Sequence, residues 1–482
     1  MDIRALVAKK FCPECTNFLL ECQNSVVLWD SQHNSVKLKV TINLFISVGT
    51  LFVNLKSYLT TLKMKSLNTS IASAIFVSLL FAASSCEKNT ITDKPKDPVN
   101  ITTEIYQKEV IDSANNFAFD LFAPLITGSK GEENIMISPF SISSALSMTL
   151  NGAAGDTYDA MIKALRIEGK TLGEINDTYL KLMTEMVPVD ELVTLEIANS
   201  VWVEKRLNVK QKFITDLQTW YKAEARDIDV SDPNAVKTVN NWIAKQTHDK
   251  IQNMLDHLDP QLAMLLINAV YFNGKWRYRF NKDDTREEPF YISPGMPKNV
   301  QMMHLKENLK CLGIDNVTLA DIPYGRGNYS MLVVLPDEGF STSDIATTLS
   351  SSIWSEWTEL LKGNTHEAEL SMPGFKYEYK RLLNPDLVNL GMGIAFSDFA
   401  DFSNISDEPL QINRVLHQTF IETNEEGTEA AAATVVEIST TSIGPEPETR
   451  IIRLDRPFLY FIHEISTGTI LFMGRVGDPT VE

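Results

Sequence analysis

The chain has 482 residues, 44% of them apolar, so it can bury a large core and is too apolar to be disordered as a whole. Its formal net charge is −18, and residues 1–86 carry eight Lys and Arg against four Asp and Glu, which leaves −22 on the remainder. An acidic body with no basic stripe cannot track a phosphate backbone, which argues against nucleic-acid binding.

Residues 1–63 show no sustained helical or strand period and contain an apolar run from Ile42 to Val53. "CPEC" (Cys12 to Cys15) has metal or redox spacing. With Cys22, Cys86 and Cys311 the only other cysteines and seven scattered histidines, a four-ligand site lacks partners, so no metal or cofactor is expected. From Met64, "MKSLNTSIASAIFVSLLFAASSCEKN" has the layout of a secretory signal: Lys65, an apolar run from Ile71 to Ala83, then small residues. The run is too short to span a bilayer, which takes about 20 residues.

The exit, "FAASSC", resembles the lipobox of bacterial lipoproteins, in which the cysteine, here Cys86, becomes the lipidated first residue. A plain cleaved signal with an incidental cysteine is the other reading, favoured by serine at positions that more often hold Leu, Ala and Gly. Because a signal belongs at the start of a chain, Met64 is expected to be the true initiator and residues 1–63 an over-long gene reading. Residues 87–103, polar with Pro95 and Pro98, read as a flexible tether. An extracellular, cell-surface or periplasmic location follows.

From Glu104 onward there is no second linker and no repeat. "SPFSISSALSMTLNGAAGDTYDAMIKAL" reads as two helices split at Gly152 to Gly155, and "VKTVNNWIAKQTHDKIQNML" reads as one helix through Leu255. Strands dominate later: "LLINAVYFNG", "YSMLVVLPDEG", "AELSMPGFKYEY" and a terminal pair joined by "STG". Helices early and long buried strands late predict an α+β single domain of about 375 residues. Cys311 stands alone in it, so no intradomain disulfide can form.

No G-x-S-x-G elbow, H-E-x-x-H, Walker loop or G-x-G-x-x-G after a strand is present. The pairs Glu287-Glu288 and Glu425-Glu426 are adjacent, so their side chains diverge and read as solvated surface. His417, after Val415 and Leu416, reads as a hydrogen-bonded core histidine. The chain is not expected to be an enzyme.

One stretch resists assignment: "NEEGTEAAAATVVEIST", Asn424 to Thr440. Alanine favours helix and is depleted in strands. Counted in twos, however, Thr428, Ala430, Ala432, Thr434, Val436 and Ile438 carry no charge, while Glu429 and Glu437 fall on the other parity with Ala431, Ala433, Val435 and Ser439. That is a strand with one face fit for a core. The following "TTSIGPEPE" is loop, so the segment suits both an exposed loop and a buried central strand.

This stretch resembles the hinge and reactive-centre loop of inhibitory serpins, and the resemblance extends over roughly residues 104–479. "NIMISPFSISSALSMTLNGAAGDT", "LLINAVYFNGKWRYRF", "REEPF", "IPYGRGNYSMLVVLPDEG", "LGMGIAFSDFADFSNIS" and "DRPFLYFIHEISTGTILFMGRVGDPT" follow in family order. The resemblance implies a metastable serpin fold of three β-sheets and eight to nine helices. It also implies an exposed reactive-centre loop over about 425–450 and inhibition of proteases by suicide-substrate trapping. Such a chain would be a monomer whose partner is a covalently trapped protease and whose contact with membrane is through lipid alone. Loop insertion in serpins is a known case of strand addition and of the release of stored strain.

On this resemblance the hinge comprises Glu425, Glu426, Gly427, Thr428, Glu429, Ala430, Ala431, Ala432, Ala433 and Thr434. Gly427 gives the fold-over its backbone freedom. Thr428 is the first side chain buried, and the alanines keep entry light. Val436 and Ile438 reward insertion with about 1.5–3 kcal/mol each. Ser138, Ser141, Asn268 and His417 correspond to the polar cluster beneath the sheet's opening point, and Trp276 to the tryptophan near the insertion point. Counting 16 positions from Glu425 places the cleaved bond at Thr441-Ser442, with the neighbouring bonds on either side as alternatives. No Lys or Arg lies between Gly427 and Thr449, which disfavours a trypsin-like target. Small residues there suit elastase-like or subtilisin-like serine proteases, with papain-like cysteine proteases also open. A non-inhibitory surface-binding serpin is the alternative.

Overall fold

The computed structural model describes residues 97–428 and 449–481 in full, together with the backbone of three strands between Leu19 and Leu55. The chain divides into two units, Met1–Asp93 and Lys94–Glu482.

In the first unit, β1 (Leu19–Asp30), β2 (Ser35–Val48) and β3 (Leu51–Leu55) pair antiparallel in that order. This corrects the expectation of no strand period over residues 1–63. Val36, Leu38, Val40, Ile42, Leu44, Ile46 and Val48 share one parity in β2, with Lys37, Lys39, Asn43 and Ser47 on the other, which is the period of a strand. Cys12, Cys15 and residues 64–96, Cys86 among them, lie outside the described residues.

The second unit is α+β, as expected. Its helices are α1 (Ile105–Thr127), α2 (Pro139–Leu150), α3 (Gly155–Ala164), α4 (Leu172–Glu185), α5 (Gln211–Tyr221), α6 (Ala235–Gln246), α7 (Thr342–Ala346), α8 (Ser351–Lys362) and α9 (Asn384–Leu387). Its first strands are β4 (Ile135–Ile137), β5 (Val193–Glu204), β6 (Glu224–Ile228), β7 (Met264–Lys275), β8 (Arg286–Ser293), β9 (Met296–Ile314), β10 (Val317–Tyr324) and β11 (Tyr329–Pro336). The rest are β12 (Thr365–Pro373), β13 (Phe375–Leu382), β14 (Leu416–Asn424), β15 (Gly427–Thr428), β16 (Arg450–Arg453), β17 (Phe458–Glu464) and β18 (Ile470–Val476).

One sheet runs β13-β14-β15-β7-β5-β6. The other runs β16-β12-β9-β10-β11-β17-β18-β4, with β8 also paired to β9. The 19-residue β9 joins two segments of this second sheet: β8, β12 and β16 pack about one part of it, β10 and its successors about the other. The described strands of this unit thus form two hydrogen-bonded sheets, the larger one continuous through β9.

Burial explains the unbroken apolar runs read in the sequence. Every residue of β11, β17 and β18 is buried, because both faces are covered. On one face Phe272 of β7 meets Tyr324, Tyr329 and Phe472 edge-on at 5.1, 5.7 and 6.4 Å. On the other, Phe119 and Phe122 of α1 and Trp354 of α8 pack on Phe461. Arg475 sits in this core with its guanidinium donating to the carbonyls of Ile126, Lys130 and Glu133, so it caps the end of α1 instead of carrying a bare charge.

The split at Gly152 to Gly155 is where expected, between α2 and α3. The helix expected through Leu255 instead stops at Gln246. His248 and Asp249 take positive φ of 49° and 62°, and the Thr247 hydroxyl accepts the N–H of Ile251 at 3.2 Å, a local side-chain bond that competes with helix continuation.

Candidate functional site

The site forms where β15 meets its neighbours. β14 ends at Asn424, the chain turns through Glu425 and Glu426, and Gly427 and Thr428 come back as β15. Gly427 pairs with Asn424 on one side and Lys275 on the other; Thr428 pairs with Thr423 and Gly274. Two residues of the loop thus already stand as a strand between β7 and β14. Among the described residues these two strands are joined through β15 alone, and where they flank it they lie about 9–10 Å apart.

Each residue of the turn is tied. The carboxylate of Glu425 accepts from the Thr285 hydroxyl at 2.9 Å, and that of Glu426 meets Lys282 Nζ at 2.8 Å. The Glu426 partnership holds the Lys282 ammonium above its usual range. Trp276 donates through Nε1 to the Asn424 carbonyl at 2.9 Å and through its backbone N–H to Glu426 at 3.0 Å; the Phe280 N–H reaches the Glu425 carbonyl at 3.1 Å. The reading of Glu425 and Glu426 as solvated surface is thereby corrected: adjacency sends their side chains apart, but toward two different partners on the segment 282–285.

Gly427 has φ of 153°, and a Cβ placed on it would lie 2.2 Å from the Gly274 carbonyl oxygen and 2.7 Å from Lys275 Cα. No L side chain fits both constraints. Gly427→Val should destabilise the uncleaved chain by about 2–3 kcal/mol, seen as a lower thermal midpoint. Gly313→Ala, where a Cβ meets nothing within 4 Å, is the control, and equal midpoints for the two would contradict this packing.

Thr428 is 4% exposed and its hydroxyl lies 2.6 Å from that of Tyr324. Lower in the sheet, a cavity of about 140 Å³ is bounded by Leu266, Asn268, Leu416, His417, Ser138 and Ser141 among others. His417 is the hydrogen-bonded core histidine expected: its Nε2 accepts the Ser138 N–H at 3.0 Å, which leaves the ring proton on Nδ1. Burial alone pushes its pKa down to about 3. Ser138 caps α2, its hydroxyl accepting from the Ser141 N–H and donating to the Leu471 carbonyl at 2.7 Å.

Asn268 faces the same cavity but bonds elsewhere. Its amide donates to Asn199 at 2.6 Å, and Asn199 donates in turn to the Tyr221 carbonyl at 2.6 Å. The Asn268 Oδ1 is buried without a partner. Ser138, Ser141, Asn268 and His417 are thus gathered on one cavity, with Trp276 at the upper end of the same strand pair. Glu429, Ala430 to Ala433, Thr434, Thr441, Ser442 and Cys86 lie outside the described residues.

A family profile described as serpin (serine protease inhibitor) matches residues 112–479. The chain belongs to the serpin family. It is 35% identical over 389 residues to the leukocyte elastase inhibitor of Bos taurus, covering 77% of this chain and all of that protein. A serpin-like protein of Methanosarcina acetivorans is 32% identical, covering 86% of this chain and 99% of the relative. The native state of Tengpin, a thermophilic serpin, superposes with a TM-score of 0.70 at 33% identity, covering 80% of this chain and 97% of that one.

The serpin's sequence did not disclose Tyr324, Lys282 or Thr285. Tyr324 and Thr428 are 104 positions apart; Thr285 and Glu425 are 140 apart. "IPYGRGNY" and "KDDT" carry no spacing signal of their own, so only the fold reveals these contacts.

The far end of the loop is fixed in the other sheet. β16 lies parallel on β12, Thr449 donates to Glu367 at 2.7 Å, Arg453 meets Glu288 at 2.8 Å, and the Leu454 N–H reaches the Ser371 carbonyl at 2.8 Å.

Proposed function

We propose that this serpin inhibits serine-type endopeptidases by suicide-substrate trapping. The observation that carries the reading is the seating of Gly427 and Thr428 between β7 and β14, in a register that the next residues can extend without a shift. Each further loop residue would step back one position on both flanking strands. Thr434 would fall between Asn268 and His417, and Val435 between Ile267 and Leu416. Because Thr428 points into the core, Ala430, Ala432, Thr434, Val436 and Ile438 would do so too, and Glu429 and Glu437 would face away.

The chemistry follows from that geometry. A protease attacks the carbonyl of Thr441, expelling the Ser442 amine and leaving an ester between Thr441 and its own serine. The freed loop then adds to the sheet and carries the esterified protease with it. Trapping succeeds when insertion outruns hydrolysis of the ester. The small, uncharged residues near Thr441 suit shallow primary pockets, hence elastase-like or subtilisin-like enzymes. For location, the signal layout and the "FAASSC" exit support a secreted or periplasmic-facing protein held by a lipid on Cys86.

The test is incubation of residues 87–482 with elastase-like and subtilisin-like proteases, followed by a denaturing gel. An SDS-stable complex is expected, together with cleaved serpin of raised melting temperature. Clean cleavage without complex would overturn trapping and favour a non-inhibitory surface-binding role. A mass spectrum of the mature amino terminus decides the lipid on Cys86.

A further inference from the structure

Tyr324 closes β10 directly behind the hinge. Its side chain is fully buried, its ring stacks on Trp276 with centroids 4.4 Å apart and planes 12° from parallel, and Phe272 meets it edge-on at 5.1 Å. A backbone bridge links Trp276 to Tyr324. The phenol is therefore held in place before it meets any partner, and burial raises its pKa well above the ordinary value, so it stays protonated. Its hydroxyl lies 2.6 Å from that of Thr428, which also lies 3.4 Å from the Thr423 hydroxyl. Gly274, opposite Thr428, permits the approach, since a Cβ there would stand 2.8 Å from the Tyr324 ring.

The register matters more than the contact. Thr428 already occupies the position it would hold at the head of a complete inserted strand, so the Tyr324 bond has no need to break as further residues enter. We propose that Tyr324 is a positioning residue for loop entry: it seats Thr428 before any protease attacks, so that insertion starts from its first rung and not from solution. This rests on the inhibitory reading above. Tyr324 is fully buried behind the hinge, so its loss should act on insertion and leave the first attack alone.

A double-mutant cycle tests this on the whole secreted chain, using Tyr324→Phe, Thr428→Val, their combination and Thr428→Ser, against a subtilisin-like protease. Each of the first two should raise the stoichiometry of inhibition about two- to tenfold, the scale of one neutral hydrogen bond. The double variant should be no worse than either single one, and Thr428→Ser, which keeps the hydroxyl, should behave as wild type. The rate of first attack should be unchanged throughout. Additive effects, or an unaltered stoichiometry in a wild type that does trap, would overturn the proposal. Amide hydrogen exchange at Gly427 and Thr428 in the uncleaved chain gives a second readout without protease. It should quicken in Tyr324→Phe and in Thr428→Val, and unchanged exchange would equally overturn the seating. A wild type that is merely cut would remove the inhibitory reading, while the exchange result still decides whether Tyr324 holds Thr428.

Discussion

The Thr428→Arg variant is expected to be cut by the target protease without holding it. The wild-type side chain sits in a closed cage formed by Tyr324, Thr423 and the β7 backbone, 4% exposed. A guanidinium placed there loses its water, and the described carboxylates of the turn, Glu425 and Glu426, are already engaged by Thr285 and Lys282. The penalty is several kcal/mol. On the proposed trapping, each 1.4 kcal/mol on the insertion barrier would slow entry about tenfold, so hydrolysis of the acyl-enzyme would win the race. The measurement is a gel with and without denaturation. The variant should give cleaved chain and active protease and no SDS-stable band, and a band of wild-type intensity would refute the role given to Thr428.

The second large effect is an acid sensitivity centred on His417. Its pKa is about 3 in the folded chain against about 6.5 for an unperturbed histidine. A base whose pKa is depressed by folding binds fewer protons when folded, so stability falls as pH drops below the unfolded value. The loss begins near pH 6.5 and grows down to about pH 3, at about 1.4 kcal/mol per unit at its steepest. Protonation would also place a charge beside the Ser138 N–H that Nε2 now accepts, so the ring must release α2 to be solvated. Chemical unfolding between pH 7.5 and 4, compared with His417→Gln, should show the wild type losing stability relative to the variant below pH 6.5. Parallel curves would show that His417 does not titrate in this window. At pH 7.5 the variant itself should be less stable by about 1–3 kcal/mol, because Gln matches the acceptor poorly.

What the sequence disclosed depended on how local the cause was. The need for glycine at 427 and the core role of His417 are each set by a few neighbouring residues, so they could be read directly. The end of α6 could not. The apolar spacing through Leu255 is truly helical, and what halts the helix is the Thr247 side chain and two residues at positive φ. The period in β2 was readable but masked by its apolar neighbour Phe45, which breaks the alternation at one position. Asn268 entered only through the resemblance, and its partner, Asn199 on the adjacent strand, follows from strand register that no linear pattern states. Glu425 and Glu426 show the limit most clearly. Two adjacent acids look the same on a solvated surface and on a turn clamped at both carboxylates.

Both ends of the loop are therefore abutments: Thr285, Lys282 and Trp276 fix the near one, Glu288, Glu367 and Ser371 the far one. On the proposed trapping, the part of the protein that would move and the part that would choose a victim are separately encoded, and substitutions near Thr441 would leave the contacts of Gly427 and Thr428 in place. A lineage carrying such a chain would then follow a changing protease by altering a handful of codons, and an engineer could do the same.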